Sequence, residues 1–279
     1  MIRFEDTGGL DLAAALDCGQ TFLWQPLKGG AWAGVAAGRA VVARMEGAAL
    51  VLEGAEEKDR PFWEHYFALD LDYPALLARF CAGSRRLAAC VEHRPGIRVL
   101  RQPFFETLCC FIISQNNNIP RIRAITARLC RGLGEELAED IYAFPSPEAL
   151  AAQTPESLAF LRAGWRAAYL IDAARAVASG RVSEEALAAL PTGEARALLM
   201  TIRGVGPKVA DCVLLYGLSR WEVMPMDVWM KRAMGRLFPR GAPVCCRRYQ
   251  GIAQQFIFDY ARASLPRGGE KKRSRGAKG

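Results

Sequence analysis

Ile202-Arg203-Gly204-Val205-Gly206-Pro207-Lys208 lies between two stretches of helical periodicity and reads as helix, tight turn, helix. Two glycines spaced by one residue permit positive φ angles and close backbone approach to a partner. Pro207 suits the first position of the next helix, where its missing N–H costs nothing. Free amides at that helix start, with those of the turn, form a cradle for a phosphate. Such a turn is also an ordinary link between helices. Lys208 sharpens the reading, because it falls in the first helical turn, where the macrodipole disfavours a cation. An amine held there is a candidate nucleophile for Schiff-base chemistry. The plain alternative is a lysine that reaches a DNA phosphate or solvent.

Outward from the turn, helical spacing predicts helices over 103–115, 119–131, 147–153, 164–179, 194–201, 207–217, 228–237 and 247–264. Upstream the period changes. Apolar runs at 21–24, 31–35, 41–45 and 50–52 are separated by Gly29-Gly30, Gly38 and Gly47, which predicts short strands in an antiparallel meander. The fold class is therefore α+β and mostly α. An N-terminal β-sheet domain with flanking helices is expected over 1–100 and a helical region over 101–266, with the hairpin at 202–207. Residues 267–279 contain no apolar residue larger than alanine and are expected to be a disordered basic tail.

Composition narrows the class further. Hydrophobic residues make up 51% and charged residues 24%, a globular balance. No run approaches the ~18 consecutive apolar residues of a membrane span. The opening Met1-Ile2-Arg3-Phe4-Glu5-Asp6 lacks an apolar signal core, so an intracellular protein without a membrane partner is expected. Nine cysteines include no C-x-x-C pair, and only His65 and His93 could join them, which argues against a zinc site. They read as small buried thiols in a reducing compartment. The net charge of +8 suggests a polyanionic partner, but six basic residues against Glu270 put five of those charges in the tail and three elsewhere.

The second chemical stretch is Val223-Met224-Pro225-Met226-Asp227-Val228-Trp229. Pro225 stops the preceding segment, and Asp227 stands at the N-cap of the next helix, where capping amides stabilise a carboxylate. Alone this is a structural cap. A helix-hairpin-helix ending in lysine, with a capping aspartate 19 residues on, resembles the signature of the helix-hairpin-helix base-excision glycosylase superfamily.

Three further motifs narrow the resemblance to the 8-oxoguanine DNA glycosylase/AP lyase family. Gly19-Gln20-Thr21-Phe22-Leu23-Trp24 is similar to the family's G-Q-[ST]-F-x-W, and Ser114-Gln115-Asn116-Asn117-Asn118-Ile119-Pro120-Arg121-Ile122 to its S-x-N-N-N-I-x-R-I. Gly206-Pro207-Lys208-Val209-Ala210-Asp211-Cys212 resembles its G-x-K-V-A-D-C. The motifs keep the family's order across residues 19–229, with a fainter likeness to about 264.

The resemblance implies a TATA-binding-protein-like sheet domain and two helical domains with the active site between the latter. It also implies a base extruded from the duplex, since neither its edge nor its sugar carbon is reachable in a stacked helix. Lys208 matches the lysine that attacks the sugar, and Asp227 the carboxylate that supports the cationic sugar. Gly19 matches the residue whose carbonyl distinguishes the N7–H of 8-oxoguanine from the bare N7 of guanine. Cys212 and Phe258 match the residues that sandwich the base, Gln254 the reader of its Watson–Crick edge, and Pro225 a residue lining the pocket. Trp165-Arg166 matches the aromatic–arginine wedge, with tryptophan for the usual tyrosine. Asn116, Arg121 and Arg166 match contacts to the orphaned cytosine, and Gly204 and Gly206 the phosphate-binding hairpin.

Lys208 and Cys212 share a helical face and are expected to behave as one titrating pair. Trp229 departs from the family's phosphate-contacting histidine, since indole donates one hydrogen bond but carries no charge. Pro207 replaces a common threonine or glutamine. No cysteine cluster follows Asp227, so the iron–sulfur site of related branches is absent. No cofactor is required, though family hairpins can hold a cation on carbonyls matching Met200, Ile202 and Val205. The expected partner is duplex DNA with 8-oxoguanine opposite cytosine, bound by a monomer. Two rivals remain: a glycosylase for alkylated bases, which usually lacks the lysine, and a non-catalytic DNA-binding module, in which Asp227 and the asparagine motif have no evident task.

Overall fold

The computed structural model describes residues 1–265. The predicted basic tail lies outside the described residues. Five strands form one antiparallel sheet: β1 (Ile2–Phe4), β2 (Trp24–Pro26), β3 (Trp32–Ala36), β4 (Arg39–Glu46) and β5 (Ala49–Glu53). Their order is β1-β5-β4-β3-β2, so the predicted meander is present and β1 joins its far edge. Strand β1 escapes periodicity because three residues are too few to alternate. The first meander strand also begins later than predicted, at Trp24, since Thr21 and Phe22 turn into the interior.

One face of the sheet is covered by α1 (Leu12–Leu16) and α2 (Arg60–Tyr66). Trp24, Trp63, Tyr66 and Phe67 pack there edge to face or tilted, and the Trp24 indole donates to the Tyr66 hydroxyl at 2.8 Å. A hydrogen-bonded indole can be fully buried at no polar cost.

Helices α3 (Tyr73–Gly83) and α4 (Arg85–His93) lead into the second core, which is mostly helical. It is built by α5 (Phe104–Ser114), α6 (Ile119–Leu133), α7 (Pro147–Ala151), α8 (Arg166–Ala178), α9 (Glu184–Ala189) and α10 (Thr192–Leu199). The hairpin then starts α11 (Pro207–Cys212), followed by α12 (Val228–Leu237) and α13 (Gln250–Ser264). A small hairpin, β6 (Glu136–Ala138) and β7 (Ile141–Tyr142), was not predicted from the sequence; Asp140 turns it with φ +58°. The predicted helix 207–217 is corrected at its end: α-helix stops at Cys212 and Val213–Gly217 forms a π-helical turn. The predicted start at 247 also moves, because Val244–Tyr249 is a 3-10 turn before α13.

The two cores are joined. Phe22 meets Phe111 edge to face at 6.0 Å, and Gln102 donates from its backbone to the Tyr216 carbonyl at 2.7 Å and from its side chain to the Gln20 carbonyl at 2.8 Å. The Glu106 carboxyl group accepts the N–H of Ala37 at 2.8 Å, reaching from α5 to the turn between β3 and β4. No helix among the described residues is long and apolar enough to cross a membrane.

Candidate active site

Gly206 caps α11 with extended backbone, placing Pro207 and Lys208 in the first turn as predicted. Lys208 is half-buried. Its Nζ lies 3.4 Å from the Ser114 hydroxyl and 4.9 Å from the centre of the Phe111 ring, both on α5. Asp227 caps α12, its Oδ1 accepting the Met230 N–H at 2.7 Å, and Oδ2 takes no hydrogen bond among the described residues. Both groups act on Cys212, which ends α11 at 2% exposure. Burial pushes its thiol up to about 11, against the downward pull of the Lys208 ammonium, while the Asp227 charge adds to the rise. The thiol thus feels the lysine by charge and by hydrogen bond, in line with the expected coupling, and burial outweighs that pull so that the thiol keeps its proton near neutral pH.

The residues assigned to the base lie along one continuous path. Gly19 has φ +88°, a conformation that calls for glycine, and a Cβ there would meet the Ile119 Cδ1 end at 3.2 Å. Arg262 passes close by and stacks over Phe258, 5.6 Å from its centre. One turn earlier on α13, Gln254 is buried with its Oε1 3.5 Å from the Tyr216 hydroxyl. Tyr216 stacks on Phe111 at 5.2 Å and 8°, which returns the path to Lys208. Pro225 is buried two residues before Asp227.

A second group forms the other side. Trp165 is 49% exposed and meets Tyr169 edge to face at 5.2 Å. Tyr169 in turn lies against Gly204, where φ is +85° and any Cβ would collide with its ring. The wedge residue and the hairpin are therefore in packing contact through one tyrosine. Arg166 is buried and donates to the carbonyls of Gln115, Asn116 and Ala163, holding the asparagine loop against α8. Burial, then the nearby charge of Arg121, lowers its affinity for a proton. Arg121 is exposed and spends one long bond, 3.3 Å, on the Arg162 carbonyl. Asn116 is exposed with φ +47°. Trp229 is half-buried in the first turn of α12, with the Arg232 guanidinium 5.1 Å from its ring, so positive charge stands beside the indole.

Among the described residues no group of three or more His, Cys, Asp or Glu could hold a metal ion. A hairpin cation would rest on the carbonyls of Met200, Ile202 and Val205; that of Ile202 already accepts the Val205 N–H at 3.0 Å and keeps one lone pair. A cavity of about 750 Å³ lies elsewhere, between the sheet and α6 with β6–β7. No predicted site residue lines it, and its arginines are engaged, Arg128 with the Leu161 carbonyl and Arg131 with Asp140.

The profile of the family described as 8-oxoguanine DNA glycosylase, N-terminal domain, matches residues 2–108. That of the HhH-GPD superfamily base excision DNA repair proteins matches residues 109–243. The chain belongs to the 8-oxoguanine DNA glycosylase family. It is similar to MBOgg1, solved with a low-affinity DNA ligand, at 36% identity and a TM-score of 0.88, covering 94% of this chain and 95% of that one. It is also similar to the Clostridium acetobutylicum 8-oxoguanine glycosylase/lyase, solved with duplex DNA carrying cytosine opposite 8-oxoguanine. There the identity is 32%, the TM-score 0.84, and the coverage 91% of this chain and 92% of that one. The N-glycosylase/DNA lyase of Saccharomyces cerevisiae is 34% identical over 190 residues, 61% of this chain, and the match spans about half, 49%, of the yeast protein.

Within this 8-oxoguanine glycosylase fold, sequence reading missed Phe111, Tyr216, Gln255 and Gln102. A signal existed for two of them: Tyr216 continues the Lys208–Cys212 face by four residues, and Phe111 precedes Ser114 by three on a helix facing it.

Proposed function

We propose that the protein is a bifunctional DNA glycosylase/AP lyase that excises 8-oxoguanine from duplex DNA through a Schiff base on Lys208. The observation that carries this is the Lys208 amine, steadied by Ser114 and Phe111 at a helix start, with the Asp227 carboxylate acting on the same buried Cys212. The family relationship supports the reading.

The amine nitrogen attacks the anomeric carbon of an extruded nucleotide, and the electrons of the glycosidic bond leave with the base, which takes up a proton. The nitrogen passes one proton to the ring oxygen as the C1′–O4′ bond breaks, and the sugar opens to a protonated imine. Loss of the neighbouring C2′ proton then expels the 3′ phosphate by β-elimination. Asp227 offsets the positive charge that develops on the sugar, with Oδ2 available for it. The extruded base lies between Cys212 and Phe258, with Gln254 at its Watson–Crick edge and the Gly19 carbonyl accepting N7–H. Pro225 closes the pocket. Trp165 occupies the vacated stack, Asn116 and Arg121 face the cytosine with Arg166 holding the asparagine loop beside it, and Gly204, Gly206 and Trp229 meet the phosphate backbone. Such a substrate places the enzyme inside the cell, and nothing in the chemistry calls for a second copy.

Borohydride should trap the protein on 8-oxoguanine duplex, and Lys208→Gln should abolish both trapping and base release. A wild type that leaves the lesion strand intact, or a Lys208→Gln protein that is still trapped, defeats the proposal.

A further inference from the structure

Gly19 occupies a peculiar place in the hydrogen-bond pattern. Among the described residues no donor reaches its own carbonyl, while the carbonyls on both sides are held from the interior. The Cys18 carbonyl accepts from Gln255 Nε2 at 3.1 Å, and Gln255 Oε1 accepts from the Tyr216 hydroxyl at 2.7 Å. The Gln20 carbonyl accepts from Gln102 Nε2 at 2.8 Å, and the Gln102 N–H donates to the Tyr216 carbonyl at 2.7 Å. Both clamps therefore converge on one residue. Gln20 adds a third hold, its side-chain amide donating to Ala15 and Arg98 and accepting from Leu100.

Tyr216 and Gln255 are 4% and 1% exposed. Burial holds the phenol well above its usual range, so it keeps the proton it donates. The π-helical turn Val213–Gly217 carries Tyr216, one step beyond the helix that bears Lys208 and Cys212. Extra residues of this kind re-aim side chains and recur at functional sites. The tyrosine ring lies flat on Phe111, the same ring that underlies the Lys208 ammonium.

Resting on the functional reading above, we propose that Tyr216, through Gln255 and Gln102, is the positioning residue that aims the free Gly19 carbonyl at the N7 edge of the base. A glycine at positive φ has no side chain to fix its own peptide planes, so its carbonyl points only as well as its neighbours are held. Fixing both flanking carbonyls supplies that hold, and leaves the Gly19 oxygen unpaired until a donor arrives. Guanine brings a lone pair there instead of a proton, so a carbonyl that cannot swing away rejects it. Discrimination then depends on the stiffness of the clamp. Tyr216 also ties the reader of the base to the helix that carries the nucleophile.

The test compares single-turnover excision of 8-oxoguanine opposite cytosine with cleavage at a preformed abasic site, which needs the amine but no base. Melting temperatures are measured in parallel. Tyr216→Phe keeps the ring and removes only the hydroxyl; Gln255→Met and Gln102→Met remove the donors. The ratio of lesion excision to abasic cleavage should fall about threefold in Tyr216→Phe and about tenfold in Gln255→Met. The double variant Tyr216→Phe/Gln255→Met should be no worse than Gln255→Met alone, because the two act in series. In a Lys208→Gln background, the binding preference for lesion over guanine duplex should fall by the same factors. A folded Tyr216→Phe protein with unchanged ratio and preference overturns the proposal even where Gln255→Met fails to fold. So does a parallel loss of both rates with the melting temperature, which marks a purely structural role. A wild type that cleaves abasic sites but ignores 8-oxoguanine removes the functional reading and this inference with it.

Discussion

Around Gly19 the flanking carbonyls are held by buried glutamines, whereas around Asn116 the loop is held by the Arg166 guanidinium and by Asn117 and Asn118 bonding back to α5 and α6, and Asn116 itself faces outward. Gly19 is half-buried, and the groups behind it, Gln20, Tyr216, Gln254 and Gln255, are all buried. The Asn116 side presents Asn116, Arg121 and Trp165 to solvent. On the proposed function, the difference teaches that the two halves of recognition are prepared to different degrees. Telling 8-oxoguanine from guanine turns on one proton, and an acceptor that discriminates by one proton must be rigid before the base arrives. The opposite base is met only after the duplex has opened, so its contacts can form on closure.

Arg166 and Arg121 divide the second side between them. Arg166 spends four of its five N–H groups on loop carbonyls, while Arg121 spends one. The largest effect is therefore expected for Arg166→Ala. Freed carbonyls in a half-buried loop cost about 1–3 kcal/mol, and excision opposite every base should slow by about tenfold or more. Single-turnover rates and melting curves check this. A selective loss opposite cytosine alone would reverse the division.

Arg121→Ala should act more narrowly. Cytosine offers N3 and O2 as acceptors to a guanidinium, and adenine does not match that pattern. The wild type is expected to prefer cytosine over adenine by at least about tenfold at limiting enzyme. The variant should reduce that preference to about twofold, while borohydride still traps Lys208. Equal wild-type rates opposite all four bases would mean that Arg121 serves phosphates.

A smaller effect separates the pocket from its scaffold. Burial pushes the Glu106 carboxyl up to about 8, so the folded protein retains a proton that the unfolded chain releases above about 4.5. Stability should accordingly fall as pH rises between those values. Glu106→Gln keeps an acceptor for the Ala37 N–H and should remove this slope, raising the melting temperature by roughly 3 °C or more at pH 8. Calorimetry from pH 5 to pH 8.5 tests it, and a wild type with no slope across that window speaks against a neutral Glu106.

The smallest effect on chemistry is expected from the basic tail. Deleting 267–279 removes six basic residues and one acidic one and should flatten the dependence of DNA affinity on salt. Single-turnover excision at saturating enzyme should stay within about twofold. A large drop in that rate would give the tail a role at the pocket itself.

Local spacing made the hairpin, Lys208 in the first turn of α11 and the Asp227 cap legible, because each is written within a few residues and governed by helix-terminus chemistry. The meander was legible for the same reason, its glycines marking the turns. Chain order kept no record of the clamp: Gln255 and Cys18 are 237 residues apart, Tyr216 and Gln255 are 39 apart, and glutamine and tyrosine follow no period that betrays their partners. Nor did it foretell the π-turn, where packing on Phe111 overrides helical continuity, or that Arg166 spends its donors inside the protein. Short-range rules act through the backbone and are readable from neighbours in the chain. Buried polar pairing is set by which groups are left without water once distant segments close, and that exists only in the folded molecule.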